Sequence, residues 1–278
     1  MDRVNILGLS IWNPSYEAFR MWFERATYPS HSIPLPTCRA HCIPESGEGE
    51  GRKPVILGIV NAHTANLAHE SETYRRALES SDVLINDGAG MAMAAKMRGH
   101  ELKYNFNGTD LFPRLFSELS APLKVFLYGS SMRSNIQAKE AIERRFPMVE
   151  VVGHCIGFQR RKVARIPGTP AEPDVVDLIN RSGADLLLVA LGQPKQEIWI
   201  AENAACLHVG VVCGVGALFD FLSGNVPRAP RIVRRAKMEW AYRLMREPRR
   251  MFRRYVMGNP KFLIRARRLL RTDAGRAA

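Results

Sequence analysis

Between residues 54 and 227, short apolar runs alternate with amphipathic stretches, and no other feature of the chain limits its fold as strongly. Six runs are almost continuously apolar: VILGIV (55–60), DVLIND (82–87), KVFLYG (124–129), VEVVG (149–153), DLLLVALG (185–192) and HVGVVCGVG (208–216). The stretches 65–80, 90–99, 109–120, 134–146, 174–183 and 196–205 between them space their apolar residues at helical period. A strand apolar on both sides must be covered on both faces, and a helix after each strand supplies the cover. The pattern predicts an α/β fold, a Rossmann-like doubly wound and mainly parallel sheet.

The flanks differ from this core. Residues 1–53 read as an irregular N-terminal segment that ends in the polar, glycine-rich ESGEGEGRKP. The net charge of +13 sits at the other end of the chain. Residues 228–271 carry 16 Lys and Arg against two acids, or +14, which leaves 24 basic and 25 acidic residues, or −1, elsewhere. The core at 54–227 is therefore electrostatically ordinary, and 228–278 is a basic appendage. In it Trp240 and Leu244, and Phe252 and Val256, stand four apart on helix faces, and Pro248 and Pro260 should divide it into about three short helices.

A nearly neutral core carrying such a tail suits an anionic membrane surface better than nucleic acid, so no nucleic-acid partner is expected. Arg228, Arg231, Arg234, Arg235 and Trp240 are the candidate contacts. The tail should be removable with every sheet strand intact. The rival reading is a non-enzymatic nucleotide- or nucleic-acid-binding module whose basic, aromatic tail holds phosphates and bases. No run reaches the roughly 18 to 20 apolar residues of a membrane span, and the N-terminus has no cleavable leader pattern. The expected location is cytoplasmic, peripheral on the inner face of the membrane. The cysteines Cys38, Cys42, Cys155, Cys206 and Cys213 lack framework spacing and read as reduced, mostly buried thiols. Homo-oligomerisation stays open at this level.

Parallel sheets bind ligands beyond the carboxyl ends of their strands. The polar residues and glycines collect there: Asn61, Asn86-Asp87-Gly88, Gly129-Ser130, Gln193, Lys195-Gln196-Glu197 and Gly216, with Asp220 close behind. None of these is a GxGxxG fingerprint or a Walker loop, which disfavours nicotinamide and ATP chemistry. Cys38, His41 and Cys42 cluster closely enough to suggest a metal, but no second ligand pair follows at zinc-site spacing, so the cluster reads as incidental and no metal or cofactor is expected. Asp87 follows an apolar run and precedes glycine, so it suits either a general base or an ordinary helix N-cap. The other residues have equally plain alternatives. Ser130 can hold a phosphate or cap a helix, Lys195 can hold a pyrophosphate or begin a helix, and Asp220 can bind ribose or cap locally.

The blocks VNAHTANLA (60–68), LINDGAGMAMAAKMRG (84–99), NGTDLFPRL (107–115), LYGSS (127–131), LLLVALGQPKQEIWI (186–200) and GVGALFDFLSGNVPRAP (214–230) together resemble the WecG/TagA/CpsF glycosyltransferases. The resemblance implies an inverting, metal-independent transfer of a hexosyl or N-acetylhexosaminyl group. The implied donor is a UDP-sugar, and the implied acceptor is polyprenyl-diphosphate-linked, in surface polysaccharide synthesis. It further implies that Asp87 is the general base. Asn61, Gly108, Thr109, Asp110, Gly129, Gln193, Gln196, Glu197 and Asp220 match its donor-pocket motifs. The basic appendage is implied to contact membrane and complete the site. Two features depart from the family pattern. Ile59 stands where some members have Thr, and residues 28–53 form a longer, more polar approach to the first core strand.

Overall fold

The protein is described by a computed structural model, which covers residues 2–28, 53–157, 174–227, 229, 230, 233, 239–246 and 248–277. Residues 3–27, expected to be irregular, are ordered as an antiparallel hairpin, β1 (Arg3–Ile6) with β2 (Leu9–Trp12), followed by helix α1 (Tyr16–Thr27). The reason is local. Val4, Ile6, Leu9 and Ile11 alternate inward along strands of only four residues, too short to stand out as a period. The α1 residues Tyr16, Phe19, Trp22, Phe23 and Ala26 make one buried stripe, and the Ser15 hydroxyl caps the helix by accepting from the Ala18 N–H.

The core is one six-stranded sheet: β3 (Val55–Val60), β4 (Val83–Asn86), β5 (Leu123–Gly129), β6 (Val149–Cys155), β7 (Leu186–Ala190) and β8 (Val211–Gly214). Their order is β4-β3-β8-β7-β5-β6, and every pairing is parallel. The expected α/β, doubly wound sheet is thus present. Alternate strand residues go to opposite faces. Val55, Leu57, Val125, Leu127, Leu186 and Leu188 pack with α1, α5 (Gly108–Ser117), α6 (Met132–Arg145) and α9 (Leu218–Leu222). On the other face lie α2 (Ala62–Glu70), α3 (Glu72–Glu79), α4 (Ala89–Met97), α7 (Val175–Ser182) and α8 (Lys195–Asn203), against Ile56, Val60, Leu84, Phe126, Leu187 and Val189. The stretch 65–80, which reads as one helix, is two. Ser71 ends α2 and begins α3, its hydroxyl accepting from the Tyr74 N–H.

All six carboxyl ends point to one edge. From β5 the chain moves outward to β6, and from β7 it moves the other way to β8. The loops after β5 and β7 therefore diverge, which opens the crevice that such sheets use for ligands.

The C-terminal appendage is helical as expected but differs in detail. It contains α10 (Glu239–Arg246), α11 (Pro248–Met251), a π-helical turn at Phe252–Met257 and α12 (Gly258–Ala277). Pro260 does not divide it: α12 begins at Gly258 and runs on past Pro260 to Ala277. Nor is α12 separable from the core. Phe262 is fully buried and Ala266 nearly so, in the same cluster as Val60, Ala62, Met91 and Ala94. Polar contacts align the helix: Arg265 Nη1 donates to Asn66 Oδ1 at 2.9 Å, and Asn66 Nδ2 donates to the Gly258 carbonyl at 2.7 Å. Lys261 Nζ lies 2.6 Å and Arg265 Nη2 3.1 Å from Glu70 Oε1.

Among the described cysteines, all free, Cys213 is buried, Cys155 half-buried and Cys206 exposed, so mostly buried overstates their shielding. Cys38 and Cys42 lie outside the described residues. No described helix is long and apolar enough to cross a membrane.

Exposed ion pairs contribute about 0–1 kcal/mol each, whereas emptying a buried phenylalanine site costs about 3–5 kcal/mol. Phe262→Ala should therefore lower the unfolding free energy by about 3–5 kcal/mol, and Lys261→Ala by less than about 1 kcal/mol, in denaturant titrations. Equal effects would show that α12 is held by charge instead of by packing.

Candidate active site

At the tip of β4, Asn86 is buried, and its Nδ2 donates to the Tyr104 carbonyl at 2.9 Å while its own carbonyl accepts from the Phe106 N–H. Asp87 follows immediately outside the strand, its N–H donating to the Val60 carbonyl at 2.8 Å, which ties it to the end of β3. The N-cap of α4 is Gly88, which has no side chain. Asp87 therefore precedes the N-cap residue of α4 and is not itself that residue. Gly88 has φ +90, and a Cβ there would meet nothing within 4 Å, so open space adjoins the half-buried Asp87. The Gly88 N–H donates to Asn105 Oδ1 at 2.6 Å.

The other tips lie along the same edge. Asn61 caps α2, its Oδ1 accepting from the His63 and Thr64 N–H groups at 3.0 and 3.1 Å. Gly108, Thr109 and Asp110 form the first turn of α5, which Asn107 caps, and Gly108 packs against Ile59. The isoleucine that replaces a hydroxyl residue thus has a packing partner. Gly129 is pressed onto β7, since a Cβ there would come within 2.6 Å of the Ala190 carbonyl carbon.

Ser130 has a left-handed backbone, φ 61, and its Oγ donates to Asp220 Oδ1 at 3.2 Å. The capping role at α6 falls to Ser131, and the cap of α9 is Ala217, so neither Ser130 nor Asp220 is occupied as a cap. The two are far apart in sequence, and their contact joins the loop after β5 to α9, the helix that follows β8. Gly216 donates its N–H to Gln196 Oε1, and Lys195 is exposed in the first turn of α8. Glu197, which the resemblance matches to a donor-pocket motif, is buried, with only 8% of its surface exposed. Burial pushes its carboxyl above the usual range, against the pull of the Gln196 and Gln193 amides.

Of the appendage candidates, Trp240 is exposed and packs edge-on against Tyr255. Arg228, Arg231, Arg234 and Arg235 lie outside the described residues. In the described appendage, Arg254 is a positive charge that disfavours protonation of His63 at the start of α2. Arg254, Thr64 and Tyr74 belong to the site's surroundings without having been singled out from sequence. Thr64 and Tyr74 occupy ordinary buried helix positions, and only folding brings Arg254 to them. Among the described residues, no three His, Cys, Asp or Glu side chains gather to hold a metal ion.

A parallel sheet with amides, glycines and a strand-tip carboxylate along its carboxyl edge defines a ligand-binding α/β protein of the Rossmann-like class. The model of the "Glycosyl transferase WecG/TagA/CpsF family" matches residues 45–275. Three relatives are named N-acetylglucosaminyldiphosphoundecaprenol N-acetyl-beta-D-mannosaminyltransferase. That of Bacillus spizizenii is 32% identical over 212 residues, 76% of this chain and 78% of the relative. That of Bacillus subtilis is 29% identical over 75% of this chain and 77% of its own length. That of Staphylococcus aureus MRSA252 is 26% identical, over 72% and 75% respectively. The chain belongs to the WecG/TagA/CpsF family, and it is a glycosyltransferase.

Burial, with the charge of Arg254 adding to it, lowers the His63 pKa from 6.5 to about 4, so the folded protein keeps the imidazole neutral. As pH falls from 6.5 toward 4, the unfolded chain takes up a proton that the folded one refuses, and stability is lost across that window. Between about pH 7 and about pH 5, the wild-type Tm should fall more steeply than that of His63→Gln. Parallel curves would mean that His63 titrates normally.

Proposed function

We propose that this glycosyltransferase moves an N-acetylhexosaminyl group, by analogy with its relatives N-acetylmannosaminyl, from a UDP-sugar to a polyprenyl-diphosphate-linked N-acetylglucosamine. Asp87 is the general base. The acceptor hydroxyl oxygen attacks the anomeric carbon as Asp87 takes its proton. The bond from that carbon to the diphosphate breaks, and its electron pair leaves on the nucleoside diphosphate. One displacement inverts the configuration, which agrees with the beta linkage in the relatives' names when the donor is α-linked.

The observation that carries this reading is the position of Asp87. It stands outside both β4 and α4, on the ligand-binding edge, with open space at Gly88. A half-buried strand-tip carboxylate beside open space can reach a hydroxyl, and a positioned base contributes about 10²–10⁴ in rate. The leaving diphosphate would be met by chain cations instead of a metal, with Lys195 exposed at the start of α8 and the basic appendage folded back on α2. That appendage also exposes Trp240, Met245, Phe252, Val256 and Met257 among its arginines. These favour peripheral attachment to an anionic membrane, where the lipid-linked acceptor would reside.

Asp87→Asn should retain the fold and donor affinity while turnover drops by about a hundredfold or more. Near-normal turnover in a radiolabelled-sugar transfer assay would remove Asp87 from the role. Transfer should also persist in excess EDTA, because no metal-holding group is built among the described residues. Activity lost to chelation and restored by Mg²⁺ or Mn²⁺ would contradict the metal-free mechanism.

A further inference from the structure

The strand-tip loops present amides, and an amide can offer either its carbonyl or its NH₂ to a ligand. Here that choice is removed. Gln196 Oε1 accepts from the N–H groups of Gly192 and Gly216, each at 3.1 Å, so its nitrogen must face the other way. It donates to Glu197 Oε1 at 2.9 Å. Asn61 Oδ1 is likewise committed, accepting from two backbone N–H groups and from the Thr64 hydroxyl at 3.2 Å. Because the Thr64 proton goes to Asn61, Thr64 Oγ1 is left to accept, and Gln193 Nε2 donates to it at 2.8 Å. The same Nε2 has a longer contact, 3.5 Å, to Glu197 Oε1.

These bonds form one directional relay. It joins the loops after β3, β7 and β8, and it commits Asn61 Oδ1 and Gln193 Nε2 to the relay, which leaves the Asn61 NH₂ and the Gln193 carbonyl outside it. Thr64, Gln196 and Glu197 are all buried, so nothing in the relay's interior touches solvent freely. A buried polar network of this kind is worth most when every member is satisfied. Its origin is Glu197, whose Oε1 is the shared acceptor. Its Oε2 and the Tyr74 hydroxyl are both buried without a partner in hydrogen-bonding geometry, yet near enough to influence each other's titration.

We propose that Glu197 is the positioning residue of the donor pocket: without touching substrate, it orients Gln193 and Gln196 so that the β7 and β8 loops receive the nucleotide sugar. This rests on the donor reading given above. The oxygen that matters is an acceptor, not a charge, so glutamine should replace Glu197 and an apolar residue of similar size should not.

The test uses the full chain, with calorimetric binding of UDP-N-acetylmannosamine in the absence of acceptor, and kcat and KM for transfer. Glu197→Leu should weaken donor binding and raise KM by about tenfold or more, the expected effect of stranding buried donors. Its kcat at saturating donor should stay within about threefold. Glu197→Gln should restore affinity to within about threefold of wild type. Thr64→Val breaks the relay at a different link with a side chain of the same shape, and it should shift KM in the same direction as Glu197→Leu. It decides the matter should the leucine variant fail to fold. Wild-type affinity in a folded Glu197→Leu or in Thr64→Val, or equal losses in the Gln and Leu variants, would overturn the positioning role alone. Failure of the wild-type protein to bind the donor at all would overturn the donor reading and this role together.

Discussion

A strand that is apolar on both sides cannot face water, and the rest of this molecule follows from satisfying that condition six times in one sheet. Helices must cover both faces, so each strand is followed by a crossover, so all strands run the same way, and all their carboxyl ends meet at one edge. The strands themselves can be almost wholly apolar because the polar residues are collected at and beneath that edge. Asn61, Asp87, Ser130 and Gln193 come from four different strand tips, and they are neighbours only because the sheet is parallel.

What keeps that edge ordered is a second layer of polar residues beneath it. Asn86 ties β4 to the segment that leads into α5, and Asn135, wholly buried, donates to the carbonyls of Gly129 and Cys155 and so joins the ends of β5 and β6. Gln196 holds the loops after β7 and β8. Each of these side chains satisfies backbone groups that strand termination would leave without partners in a poorly solvated place. Backbone distortion at the edge is local: Gly129 presses on Ala190, and Ser130 takes a left-handed conformation that leaves its hydroxyl on Asp220.

The appendage has two faces with different physics. Its inward face is a core element, with Phe262 and Ala266 packed against α2 and α4, and Asn66, Glu70, Lys261 and Arg265 setting its register. Its outward face carries exposed apolar residues among arginines, the composition of a surface that meets lipid. One segment therefore completes the fold and carries the chain's excess of positive charge. Charge counting alone detects the second property and misses the first, because a net charge says nothing about which side of a helix is buried.

By itself, the sequence determined the class of sheet, the approximate span of each of its six strands and the identity of most residues at their tips. These properties are periodic or local: an unbroken apolar run cannot be an exposed strand, and glycine or an amide after such a run marks its end. The N-terminal hairpin escaped notice because four-residue strands carry too little period. The break at Ser71 escaped because a hydroxyl that caps a new helix looks like any polar residue on an existing one. Only the tertiary structure decided that Asp87 stands outside α4, that Ser130 meets Asp220, that α12 belongs to the core, and that Glu197 is buried. Each of those facts depends on which distant segment packs beside the residue. Burial, hydrogen-bond direction and pKa are properties of that neighbour, and no spacing along the chain encodes them.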